Sequence, residues 1–133
     1  MRTLIGFLAL AITVACGGDG ITDPASVSLA GTYSLKTVNG SPLPFTVSDA
    51  TGSATLTSDV MTVADAGTWT EHYTFRLTVN GTTTNESGDT SGTWSRSGTS
   101  VTFKADGGTA YTGTFNGSGF TLNDGDHVYV FAK

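Results

Sequence analysis

Glu71 is the residue whose type and position most invite chemistry. It stands in Gly67–Gly81, GTWTEHYTFRLTVNG, on the same odd-numbered side as Trp69, Tyr73, Phe75, Leu77 and Val79. Burying an unpaired carboxylate costs several kcal/mol. Glu71 is therefore expected at a solvent-facing rim, against a cation, or facing a wet cavity that holds a ligand. Arg96 shares a side with Trp94 two residues earlier and poses the same question. A Glu71–Arg96 pair is conceivable, although the hairpin register does not bring the two opposite. Together with the aromatic residues on these faces, they form a candidate ligand-binding set: Tyr33, Trp69, Glu71, Tyr73, Trp94 and Arg96. Rings dominate that set, so the expected ligand is small and apolar.

Other chemistries find little support in the residues. His72 and His127 are the only histidines, and neither has the neighbours a zinc site demands. Asn123-Asp124-Gly125-Asp126 carries calcium-like acids but lacks the rest of an EF-hand loop, and reads as a turn. There is no Gly-x-Ser-x-Gly elbow and no glycine-rich phosphate loop opening a helix. Catalytic residues, metal and cofactor are all expected to be none. With 11 acidic and 6 basic residues the net charge is −5, and a phosphate backbone would be repelled. Four Asn-x-Ser/Thr sequons, at Asn39, Asn80, Asn85 and Asn116, read as turns.

The elements that must position these residues are strands. In Gly67–Gly81 the even positions are mostly Thr, with His72, Arg76 and Asn80, while the odd ones are aromatic or aliphatic. A period of two places the sets on opposite faces, one on a core and one in water. Charged residues are 13% of the chain, where about a quarter is usual. Thr, Val and aromatic residues suit a pleated, half-buried surface, so composition also favours β structure. Gly-Thr-aromatic recurs at Gly31-Thr32-Tyr33, Gly67-Thr68-Trp69, Gly92-Thr93-Trp94 and Gly113-Thr114-Phe115, each read as a strand entrance. Asn39-Gly40, Asn80-Gly81, Asp106-Gly107, Asn116-Gly117 and Asp124-Gly125 are candidate type I′ turns.

Strands are expected at 32–38, 45–48, 54–58, 60–64, 68–79, 82–95, 101–105, 110–115, 120–122 and 127–132, with a kink at Gly88. A two-residue turn at Asn80-Gly81 would oppose Val79 to Thr82 and Phe75 to Glu86. That register puts Trp94 on the inner face with Trp69. Short connections between successive strands predict an all-β fold, an antiparallel up-and-down barrel of about 8–10 strands. Its inward rings either fill the interior or line a pocket. A carrier of apolar ligands needs a cavity of about 300 Å3 or more.

The N-terminus adds an address. Met1-Arg2-Thr3, the apolar run Leu4–Ile12 and the small residues before Cys16 follow the layout of an export signal. The apolar run is too short to span a bilayer, which takes about 20 residues. Ala15-Cys16 resembles the lipobox of bacterial lipoproteins. The resemblance implies a signal peptide over 1–15, cleavage before Cys16, and acylation of that thiol and of the new amine. Cys16 is the only cysteine, so no intramolecular disulfide can form. Each buried methylene contributes about 0.8 kcal/mol, so two or three chains hold the protein where one alone is marginal. Gly17 after the cysteine leans toward the outer rather than the inner membrane. Residues 16–28 read as the lipidated cysteine and a flexible tether, and 29–133 as the barrel.

Gly31-Thr32-Tyr33-Ser34-Leu35, then Asn39-Gly40 and Pro42-Leu43-Pro44, resemble the lipocalin-like domains of small bacterial lipoproteins. Lipocalins open with Gly-x-Trp, and Tyr33 stands at the matching place. The resemblance implies a barrel, probed by small ligands or by proteins. The first expectation is an envelope lipoprotein, monomeric, that binds a small apolar ligand. The alternative is a protein-partner module, an inhibitor or envelope structural element with a filled core, marked by a loop or apolar patch around Pro42–Phe45 or Asn85–Ser91.

Overall fold

The structure, a computed structural model, describes residues 27–133. The signal segment 1–15, Cys16 and the tether up to residue 26 lie outside the described residues. Ten strands follow in chain order: β1 Gly31–Val38, β2 Ser41–Pro42, β3 Phe45–Ser48, β4 Gly52–Val63, β5 Thr68–Val79, β6 Thr82–Ser97, β7 Ser100–Ala105, β8 Ala110–Phe115, β9 Gly119–Asn123 and β10 Val128–Ala132. From β4 to β10 each strand pairs antiparallel with the next, and β1 joins β10 to β4. Eight strands thus close an up-and-down barrel, and among the described residues there is no helix.

Closure is incomplete at one end. Gly31–Ser34 of β1 pair with Val60–Val63 of β4. Beyond them the two strands part. Thr37 and Val38 pair instead with Pro42 and Ser41 of β2, and Ser53–Leu56 pair with β3. The segment 41–48 fills the wedge. On the far side of the barrel, β7 begins to pair with β6 only at Gly92. Residues 82–91 of β6 therefore pair with β5 alone, and the β5–β6 hairpin stands above the barrel as an overhang. Its free edge is Thr, Asn, Glu, Ser and Asp, a polar edge that discourages pairing with another chain.

The hairpin register is the expected one, with Val79 opposite Thr82 and Phe75 opposite Glu86. Asn39-Gly40 and Asn80-Gly81 each have both residues at positive φ, the backbone of a type I′ turn. At the other three dipeptides the chain makes longer loops in which a single glycine, Gly108, Gly117 or Gly125, takes positive φ. Asn116 and Asp124 instead cap their loops, each accepting two backbone N–H groups on Oδ1.

Three sequence expectations need correction. Segments 54–58 and 60–64 are one strand, β4, carrying a bulge between Leu56 and Ser58. Gly88 does not kink β6, whose pairing with β5 runs through it without a shift. The Gly-Thr-aromatic triplets are strand entrances only at Gly31 and Gly67; Gly92 and Gly113 lie inside β6 and β8. What unites them is their level. Two of the strands leave the base of the barrel there and two arrive, so all four aromatic residues gather at one end.

That end is filled. Tyr33, Phe103 and Phe115 have no exposed surface and Phe120 has 1%. The Phe120 ring centroid lies 4.7 Å from Tyr33 and 5.1 Å from both Phe103 and Phe131. Trp69 meets Phe103 edge-on at 5.9 Å. Offset and tilted rings at these separations add to the burial term. Leu29, 1% exposed, plugs the base, and Val27 packs against the same cluster. Among the described residues, packing against the core already includes Val27, two residues ahead of the expected domain start.

Candidate functional site

The upper half of the barrel is hollow. A cavity of about 240 Å3 opens at the end opposite the chain entrance. Met61, Trp69, Leu122 and Phe131 form its apolar wall and floor. Three carboxyl groups, of Asp59, Glu71 and Asp124, and three tyrosines, Tyr73, Tyr111 and Tyr129, line the rest. Beside it, under the overhang, lies a groove of about 290 Å3 walled by Val38, Phe45, Leu56, Phe75 and neighbours. Leu56, Tyr73 and Tyr129 border both spaces. The interior is thus filled below and open above, and the cavity alone falls short of the 300 Å3 expected for a purely apolar pocket.

Asp59 owes its place to the β4 bulge. Leu56 opposes Phe75, but Ser58 opposes Thr74 and Asp59 opposes Tyr73. Were Thr57 paired in the ladder opposite Thr74, Asp59 would stand opposite His72 and point to water, because one residue of register swaps the faces. Thr57 itself donates to the Thr74 carbonyl at 2.9 Å. Below the bulge, Asp59, Met61 and Val63 alternate inward. Asp59 is 8% exposed, and its Oδ1 has no hydrogen-bond partner.

Glu71 reaches Asp59 across the strand pair. It opposes Met61, so the two carboxyls are diagonal neighbours on one face, close enough for each to act on the other's protonation. Burial, then the adjacent Glu71 carboxylate, push the Asp59 carboxyl up to about 8. Burial also raises Glu71.

Asp124 behaves differently. Burial works against its charge, but the backbone N–H of His127, the Tyr129 hydroxyl and the backbone N–H of Asp126 outweigh it and hold the carboxyl low. Tyr129 donates to Asp124 Oδ2 at 2.8 Å. Burial raises the Tyr111 and Tyr129 hydroxyls, with the acids nearby adding to the effect. At neutral pH the site combines neutral Tyr111 and Tyr129 hydroxyls, an ionised Asp124 and a protonated Asp59 beside Glu71.

The six candidate residues divide between two places. Trp69, Glu71 and Tyr73 line the cavity. Tyr33, Trp94 and Arg96 sit at the base, where their polar atoms hold the closing segments. The Tyr33 hydroxyl donates to the Leu29 carbonyl at 2.6 Å. Trp94 Nε1 donates to the Ala64 carbonyl at 2.9 Å. Arg96 donates to the carbonyls of Gly98 and Val27, at 2.6 and 2.5 Å, and lies 4.7 Å from the centre of the Phe115 ring. The barrel does not bring the two groups together. Sequence reasoning missed Asp59 and Asp124. Asp59 had a signal, since it shares parity with Met61 and Val63; Asp124 was hidden inside a turn signature.

Glu71 was expected at a rim, beside a cation or in a wet cavity; its partner is another acid. Among the described residues no group of His, Cys, Asp and Glu is arranged to hold a metal ion. Asn123–Asp126 is the β9–β10 turn, its side-chain oxygens accepting backbone N–H groups. A family model described as a lipocalin-like domain matches residues 29–126. No curated protein and no solved structure matches the chain.

Proposed function

The chain belongs to the lipocalin-like domain family, and from that premise we propose that it is a small-ligand-binding barrel held in a bacterial envelope by acyl chains on Cys16. The observation that carries the reading is the half-filled barrel: a packed base and a cavity open at the other end. The base is where residues 27–30 join the domain, through Val27 and Leu29. A protein anchored at Cys16 would then hold its cavity mouth away from the bilayer. The export signal and Ala15-Cys16 support the anchor, and Gly17 favours the outer membrane.

The ligand is small, because the cavity is small, and it meets tyrosine hydroxyls and acids as well as hydrocarbon. This departs from the purely apolar occupant that the aromatic residues alone suggest. The domain acts by binding and not by catalysis. Native mass spectrometry of the protein gently extracted from its membrane fraction tests both halves. Acyl mass on Cys16 and a dissociable small molecule are the expected result. An unmodified Cys16 would remove the anchor. A native mass equal to the acylated polypeptide, with Trp69 fluorescence unmoved by envelope extracts, would remove the ligand.

A further inference from the structure

Asp59 is an acid with an unanswered oxygen. It is more than nine-tenths buried, lines the cavity, and leaves Oδ1 without a donor. Buried acceptors in native proteins are almost always satisfied, so this atom points to a donor that arrives with a ligand. No cation comes from the walls: among the described residues no Lys or Arg lines the cavity. Glu71 and Asp124 add negative charge at the same place. An anionic ligand would be repelled, and a neutral one would leave that charge uncompensated.

The rings complete the pattern. Tyr73, Tyr111 and Tyr129 surround the acids, and tyrosine faces attract cations. The groove of Phe45, Leu56 and Phe75 continues from the cavity across Leu56, Tyr73 and Tyr129. A molecule that fits both spaces carries charge at one end and hydrocarbon at the other.

We propose that the ligand is an organic cation with a short apolar tail, its ammonium group against Asp59, Glu71 and Asp124 within the three tyrosines and its tail in the groove. The proposal rests on the small-ligand reading above and narrows it. The cation answers the charge of the acids and the unpartnered Asp59 oxygen, and the tail covers Phe45 and Phe75.

Three probes with one tail test it: hexyltrimethylammonium, hexanol and hexanoate, titrated calorimetrically into the full-length protein at pH 7.5, with Trp69 fluorescence as a second readout. The cation should bind about ten-fold or more tighter than the alcohol, and hexanoate should bind most weakly. Glu71→Gln and Asp59→Asn should each weaken the cation about five-fold or more while leaving the alcohol within about two-fold. The comparison of head groups in the unaltered protein does not depend on either variant folding. Alcohol binding as tight as the cation, or hexanoate tighter, overturns the cationic class and leaves the small-ligand reading standing. Binding of none of the three, with the far-ultraviolet spectrum of a folded β protein, overturns both.

Discussion

The carboxyl groups of Asp59 and Glu71 stand side by side as diagonal neighbours across β4 and β5, inside a barrel whose base is packed with rings. Neither acid is paired with a basic side chain in the cavity lining. The arrangement is held by the surrounding strands, and it makes the cavity respond to pH, to volume changes nearby and to cations.

The first prediction concerns pH and stability. Asp59 titrates near 8 in the folded protein and near 4 unfolded, so between those values the folded state binds more protons. Its contribution is complete below about pH 4 and is lost as pH rises through 8. Asp124 and Asp49 are lowered, so theirs is present above about pH 4 and lost on acidification. The groups facing the pair are Tyr73, Tyr111, Tyr129 and Asp124; the raised hydroxyls of Tyr111 and Tyr129 stay neutral across this range. The thermal midpoint should therefore peak between about pH 4 and 6 and fall toward pH 9. Asp59→Asn should flatten the alkaline limb and exceed the unaltered protein by about 1–3 kcal/mol at pH 9. Calorimetric melts at several pH values check it; a parallel fall in the variant would assign the slope elsewhere.

The second concerns Gly88. A Cβ built there would stand 2.4 Å from the Tyr73 ring and hydroxyl. The glycine opposes Tyr73 in the register, so its bare backbone gives that ring its place over β6. Gly88→Ala should cost about 1–3 kcal/mol and turn Tyr73 out of the cavity wall, weakening binding of hexyltrimethylammonium. Gly107→Ala, with nothing within 4 Å of the new atom, is the control. Urea melts and calorimetric titrations of both variants decide it.

The third concerns the filled base. Phe120 touches Tyr33, Phe103 and Phe131 through its ring. Phe120→Ala should destabilise by about 3–5 kcal/mol. Phe75→Ala, in the groove at the open end, should cost less than half as much and instead weaken the tailed probes. Denaturant unfolding ranks the two, and equal losses would contradict a packed base beneath an open top.

The fourth concerns the junction with the tether. Arg96 holds the Val27 carbonyl from beneath the barrel. Arg96→Ala should cost about 1–3 kcal/mol and raise amide exchange at residues 27–30, with exchange at β8 and β9 little changed. Cation binding at the opposite end should also stay as it was. Exchange measured by mass spectrometry, alongside titration, separates a loosened junction from a globally weakened barrel.

Much of the architecture was legible because it rests on period-two alternation, which is a property of the chain itself. Trp69, Tyr73, Phe75 and Trp94 share a face, as their positions in sequence demand, and the Asn80-Gly81 turn fixes the register between their strands. The two bulges were not legible. Between Leu35 and Thr37 a shift brings Val38 inward, and at Thr57 another brings Asp59 inward. A bulge changes the parity of every residue beyond it, and no residue type at Lys36 or Thr57 announces it.

The amino-acid sequence alone determines that this protein is an antiparallel β barrel with its rings inside, since alternation and turn chemistry are local. It also carries the motif at Cys16 on which the proposed anchor depends. Only the tertiary structure decided that rings from seven strands meet at one end, leaving the other hollow, and that two acids distant in pattern lie side by side there. The reason is that cavity shape depends on where strands start and stop relative to their neighbours, and on a single extra residue in β4. Those are relations between strands, and no one strand contains them.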